Sequence, residues 1–484
     1  MASLKRQAIS GMIWASIGSV GGGILNLLVM FILARLLEPS DFGVMELLVV
    51  VTSVSTVLVD SGFSQALIRD KNATDIDCST VFYINLSIST FLYLLLFAAA
   101  PLLSVFFHLP EFTNYSRVAF LCIIIDSVAV IQNIKYTKDV KFRPIAISIL
   151  CGVVVAGILT ISLSKMGMGT WALVFFILTN SLIKSACLWL LSRWRPMWAF
   201  STISMKKYWR FGSFVLLQSL IDKIAMDVES LLIGRVYTKS QLGFFSQSRK
   251  INSYFGQALT SVVVKVSYPV LVKIGDTDEQ LKAGYRKIMG YTTFVIAPIM
   301  VFIFCFPYDT MQALFGEKWI EAGAYLRLFS CVGLITPIQS ICHNIFLVKG
   351  KSKLFLYISA AKNLSKIAIV SVLVFIGIYQ MLIGIVSVSV FTAIVAFYYS
   401  GKLIDYSFST LVSDILPNIL FAAISCVFVY FIAMITPLGN LYPLFKIILL
   451  FSFNLFFYFL INLLSHNSNI TDLLAIAKSF AQKK

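Results

Sequence analysis

About fourteen apolar stretches, each of the roughly 20 residues needed to cross ~30 Å of hydrocarbon, tile this chain from Gly11 to Leu464. A backbone in lipid must satisfy its own donors and acceptors, and no alternating ten-residue pattern of barrel strands is present, so each stretch is expected to be a helix. Composition agrees: of 484 residues, 59% are hydrophobic and 13% charged, and mean hydropathy is +0.89. Soluble domains carry roughly 25% charged residues. No polar segment is long enough for a separate domain of ~100 residues. The expected fold is an all-α polytopic membrane protein, with its chemistry in or beside the bilayer.

A formal net charge of +17 raises nucleic acid as a partner, but the basic residues form no single soluble face or tail. They sit between the spans. Roughly 25 Lys and Arg fall in one alternating set of loops and termini and about 8 in the other, so the basic set is expected to be cytoplasmic, with both chain ends there. The N-terminus starts like a signal peptide, but its apolar part is too long and no A-x-A site follows, so it reads as a retained first span. The eight cysteines are scattered singly, mostly in apolar runs, and read as small core residues; the three histidines are isolated, and no metal site is expected. Trp171, Trp194, Trp198, Trp209 and Trp319 fall near expected membrane interfaces. The segment ending at Gly212 reads as an interfacial helix.

Two halves repeat. ARLLEPSDFG follows the first span, with Arg35 eight residues before Gly43, and GRVYTKSQLG follows the seventh, with Arg235 eight residues before Gly243. The signatures stand 200 residues and six spans apart, the period of a duplicated six-helix unit. An even number of spans makes the copies parallel repeats about an axis along the membrane normal. The expected division is a first lobe over 1–198, an interfacial linker over 199–211, a second lobe over 212–402, and two more helices with a tail over 403–484.

These two signatures, with the N-terminal SLKRQAISGMIW and the DSGFSQALIR that follows the first, resemble over essentially the full length the polysaccharide transporter family of the multidrug/oligosaccharidyl-lipid/polysaccharide superfamily, particularly its Wzx flippases. The resemblance implies two six-helix lobes around a central cavity, as in MATE exporters and the lipid II flippase. It also implies a cargo, an undecaprenyl-diphosphate-linked oligosaccharide carried across the bacterial inner membrane for capsule, exopolysaccharide or O-antigen assembly, by alternating access.

Charges inside spans are costly and need a reason. Lys362 and Lys366 lie on one face of the eleventh span at i, i+4, where like charges cost about 0.2–0.5 kcal/mol even on an exposed helix, so an anionic compensator is expected. Lys362, near the first third of the span, could instead snorkel to the cytoplasmic headgroups, whereas Lys366 near the middle is expected to face a cavity. Lys184 in the sixth span, Lys223 in the seventh, and Arg249 with Lys250 in the eighth complete a basic set suited to a diphosphate. Asp60, Asp126, Asp222, Asp227 and Glu229 are candidates to bind a coupling Na⁺ or H⁺, the one cofactor-like requirement expected, and Glu46 could share their space. Two pairings compete with these roles: Lys223 with Asp227, and Lys184 with Asp126. Asp222 and Glu229 lie two turns apart on one face. Arg35 and Arg235 read as interfacial anchors, and Gly18 with Gly22 as a close-packing or bending face.

Enzymatic signatures are weak. The AspIleAsp at Asp75–Asp77 resembles a metal-binding DxD but reads as a solvated loop, and no GxSxG, HExxH or P-loop occurs. The chain is therefore expected not to be an enzyme. Its expected partners are the lipid-linked cargo, membrane lipids, and polysaccharide polymerase and export machinery. Two alternatives remain open: a MATE-like cation or drug exporter, which would want an acidic or aromatic cavity, and a membrane polymerase or ligase, which would want a large outward loop.

Overall fold

Twenty-two of the first twenty-seven described residues from Ser10 are apolar or glycine, and they form α1 (Ser10–Leu36), the first helix of a computed structural model that describes residues 10–257, 267, 271–272, 277–436, 441–467 and 470. There follow α2 (Pro39–Asp60), α3 (Phe63–Arg69), α4 (Asp75–Phe106), α5 (Phe112–Ala119), α6 (Leu121–Val128), α7 (Val130–Lys138), α8 (Phe142–Lys165), α9 (Thr170–Leu191), α10 (Thr202–Val236) and α11 (Lys239–Asn252). Then come α12 (Asp278–Cys305), α13 (Pro307–Phe315), α14 (Ala322–Val348), α15 (Ser352–Leu373), α16 (Ile378–Leu403), α17 (Phe408–Ile435) and α18 (Pro443–Leu464). Among the described residues there is no strand, and twelve helical segments are long and apolar enough to cross a membrane. The expected seventh span is α10, whose charges keep it out of those twelve; the expected eighth, 241–264, lies partly outside the described residues.

Cα packing divides the chain into two compact units, Met1–Ser246 and Gln247–Lys484. In the first, α1 packs on α8 so closely that a Cβ on Gly22 would lie 2.7 Å from Ile149, and a π-turn at Ile17–Gly21 sits at the same place. The GxxxG face therefore serves both close packing and a local distortion. α2 opens on Pro39 with a capping box, the Glu38 N–H donating to Asp41 at 3.0 Å, and it packs along α10. The repeat signatures meet reciprocally in this unit. A Cβ on Gly43 would fall 1.9 Å from the Lys239 carbonyl, and one on Gly243 would fall 1.9 Å from the Pro39 carbonyl. Such i-to-j, j-to-i packing is what a twofold relation between two copies produces.

Several expectations change here. The interfacial segment is not a separate helix: α10 runs unbroken from Thr202 through the seventh span, because nothing in SerMetLysLysTyrTrpArgPheGly breaks a helix. Its start is moored to the loop after α3, where Lys207 and Tyr208 both donate to the Asp70 carboxylate. Those two bonds, Lys207 first, hold the Asp70 carboxyl down to about 2. AspIleAsp is a helix start, not a loop: Thr74 and Asp77 form a capping box, and Asp75 pairs with Lys135 at 2.6 Å. Trp319 is fully buried against Phe315, and Cys305 is exposed rather than in the core.

In the second unit, α17 and α18 are bonded to α12 where a proline leaves its backbone open. Pro298 cannot donate to the Phe294 carbonyl, and the buried Tyr458 hydroxyl of α18 donates to it instead at 3.0 Å. Asn454 donates to the Pro298 carbonyl at 3.1 Å and accepts from Ser425 of α17 at 2.7 Å. One turn lower, Asn418 of α17 donates to Thr293 at 2.9 Å. Side-chain bonds of this kind are the polar glue of helices in lipid, where apolar faces alone give little preference for protein over tails.

Candidate functional site

The fourth span, expected as one helix over 116–135, is broken twice. Phe120 separates α5 from α6, and Ala129 separates α6 from α7. Carbonyls near the second break are taken up by α9: Ser185 Oγ donates to the Ile125 carbonyl at 3.0 Å and Trp189 Nε1 to that of Val128 at 3.0 Å. Non-helical backbone at membrane depth is tolerated where protein buries it or where it lines a cavity. Both conditions hold, because a 260 Å³ pocket opens beside the break, lined by Asp60 of α2, Asp126 of α6, Asn133 of α7 and Lys184 of α9.

The pocket gathers three of the candidate residues. Lys184 Nζ lies 3.9 Å from Asp126 Oδ1, an ion pair beyond hydrogen-bond reach, while Ser181 donates to the other oxygen at 3.1 Å. Asp60 accepts from the hydroxyl and the backbone N–H of Ser64, one turn on. Two carboxylates and one ammonium leave the pocket with a formal charge of −1 when all are ionised. That charge suits a monovalent cation or a proton and repels a diphosphate. Lys184, expected in the cargo-binding set, lies in this pocket with the two acids, paired with Asp126.

Lys223 is also spoken for. It pairs with Asp227 at 3.0 Å, and Asp227, buried, accepts from Ser53 of α2 at 2.9 Å. A desolvated pair of this sort holds α10 on α2 and leaves little field for a ligand. Of the two acids expected to share a face, Glu229 is buried and Asp222 exposed, so they share no common surrounding. Glu46 is buried and accepts from Ser230 of α10 at 3.0 Å. Arg249 and Lys250, on α11, are half-buried. Arg235 donates to the Phe106 carbonyl and contacts the His108 ring.

The second unit holds a different arrangement. Lys362 and Lys366 are half-buried one turn apart on α15, and Lys362 donates at 2.6 Å to the amide oxygen of Gln339 on α14, a neutral partner. His343, one turn beyond Gln339, sits edge-on to Phe355 with its Nε2 buried and without a hydrogen-bond partner. The charges thus sort by unit: an acid-rich pocket in the first, paired amines in the second.

The sequence reading missed Gln339, Ser181, Ser53 and Asn133, which are polar residues with no motif around them. It missed the break at Ala129 because no proline or glycine marks it.

Comparisons with known proteins agree with this architecture. The teichuronic acid biosynthesis protein TuaB of Bacillus subtilis (strain 168) is 23% identical over 363 residues, 74% of each chain. The lipopolysaccharide biosynthesis protein WzxC of Escherichia coli (strain K12) is 22% identical over 355 residues, 72% of this chain and 71% of that one. The lipid II flippase MurJ, in an inward closed conformation, superimposes with a TM-score of 0.71 at 13% identity, over 93% of this chain and 99% of that one, which establishes a shared fold. The sequence profile of the family described as "Polysaccharide biosynthesis protein" matches residues 32–324, and the chain belongs to that family.

Proposed function

We propose that this protein is a flippase that carries a polyprenyl-diphosphate-linked oligosaccharide from the cytoplasmic to the outer leaflet of the bacterial inner membrane, with both chain ends cytoplasmic. The observation that carries the reading is the Lys362–Lys366 pair, two amines one turn apart in a spanning helix, with a neutral amide rather than a carboxylate on Lys362. An amine bonded to a neutral amide keeps its charge uncancelled, and a diphosphate supplies an anion that comes and goes. Membership in a polysaccharide biosynthesis family and the fold shared with a lipid II flippase support the choice of cargo. The site is exposed to one leaflet and then to the other, while the tail stays in the bilayer.

The acid-rich pocket at Asp60, Asp126 and Lys184 is the seat of ion coupling, by Na⁺ or H⁺. The membrane potential adds about 2.3 kcal/mol per charge per 100 mV on the anionic cargo. The acid pocket also fits a MATE-like cation exporter, but Lys184 already neutralises one of its carboxylates. No chemical step is assigned to the protein; polymerase and export machinery would act on what it delivers.

Deleting the gene tests the assignment. Complete lipid-linked repeat units should accumulate facing the cytoplasm, beyond the reach of a lectin added outside intact spheroplasts. Unpolymerised units accumulating on the outer face would point to a polymerase and overturn it.

A further inference from the structure

α15 is the least buried of the twelve apolar spans, and its lysine face is only one of two functional faces. On the other, α15 and α16 border an apolar groove of 540 Å³. Ala361, Ser365 and Ile369 form its floor on α15, with Val388, Phe391 and Val395 opposite on α16. Small side chains at 361 and 365 make the notch. The hydroxyl of Thr392 is turned back onto its own helix at 2.7 Å, so it does not make the groove polar. Tyr357 and Phe391 stand at the edges, 68% and 67% exposed.

Ala361 and Ser365 directly precede Lys362 and Lys366, so groove and amines occupy the same two turns, about 100° apart around the helix. From Leu354 to Ile369 the groove runs for roughly 22 Å at ~1.5 Å per residue. An amphiphile with an anionic head and a long apolar chain is the ligand complementary to both faces at once: charge on one, apolar area on the other.

We infer that the α15–α16 groove is the subsite for the polyprenyl chain of the cargo, adjoining a diphosphate subsite at Lys362 and Lys366. The inference rests on the flippase reading above and adds the place where the lipid is held. Headgroup and tail are then read by one helix, and the pairing selects lipid diphosphates over free nucleotides or sugars, which lack the tail.

The test uses the full-length protein in detergent, with undecaprenyl diphosphate and inorganic pyrophosphate as separate probes. Filling the notch with Ala361→Trp and Ser365→Phe should weaken undecaprenyl diphosphate at least tenfold and leave pyrophosphate within twofold. Lys362→Gln with Lys366→Gln should weaken both. Retained pyrophosphate binding also reports that the filled variant is folded. If the filled variant loses both probes, a photoreactive polyprenyl diphosphate on the wild type decides: labelling of α15 and α16 supports the groove, and labelling elsewhere overturns it. Unchanged undecaprenyl diphosphate binding in a filled, folded variant overturns it, as does equal competition by phosphatidylglycerol vesicles. Failure of the wild type to bind undecaprenyl diphosphate at all would overturn the flippase reading as well.

Discussion

At the scale of the residue, three intramembrane lysines have partners of different kinds. Lys223 meets buried Asp227 and Lys184 meets Asp126, whereas Lys362 meets an amide. Spacing in the sequence made the i, i+4 pairing of Lys223 with Asp227 legible, and it made the lysine pair on α15 legible too. It left the Lys184 question open, because Asp126 lies 58 positions away and only the tertiary fold brings the two together. Gln339 could not be found at all, since a lone glutamine in an apolar run carries no pattern. A buried pair broken on one side leaves a charge stranded. Lys223→Ala should therefore lower stability by on the order of 3 kcal/mol, while Lys223→Met with Asp227→Leu should recover most of the loss; thermal unfolding in detergent measures both. Equal loss in the single and double variants would mean that the pair contributes packing rather than charge.

At the scale of the element, most of the helices were readable from hydrophobic length, and their starts from capping residues such as Thr74 with Asp77. What was not readable is how helices deviate. Ala129 breaks the fourth span without proline or glycine, because α9 supplies side-chain donors to the carbonyls that the break leaves open. The same logic at Pro298 works in reverse: the proline is visible, but Tyr458, which completes the bonding, lies 160 residues away. The mooring of α10 gives a pH prediction. The Asp70 carboxyl is held below its ordinary value by Lys207 and Tyr208, so the contact stabilises fully above pH ~4 and is lost as pH falls toward about 2. Asp70→Asn should lower thermal stability at pH 7 and narrow its difference from the wild type toward pH 2; a difference constant with pH would show that the carboxylate is not what moors the helix.

At the scale of the whole molecule, the duplicated signatures read in the sequence reappear as the reciprocal contact of Gly43 and Gly243, each pressed against a backbone carbonyl of the other copy. Neither accepts a Cβ without backbone displacement. Gly43→Ala and Gly243→Ala should each destabilise by about 1–3 kcal/mol or more and, by symmetry, to similar extents; a strong effect at one site and none at the other would contradict the reciprocal packing. The all-α membrane fold was legible because lipid permits so few backbones. The sorting of charge between the units was not, since it depends on which residues each unit gathers. The central claim is that the α15 amines hold the anionic head of a lipid-linked sugar during its passage. It is tested most directly by reconstituting the protein in vesicles with a fluorescent polyprenyl-diphosphate-linked sugar in one leaflet and following its exposure to an impermeant quencher. Lys362→Gln with Lys366→Gln should slow exposure at least tenfold at equal protein content; exposure at the wild-type rate would show that the amines do not hold the head.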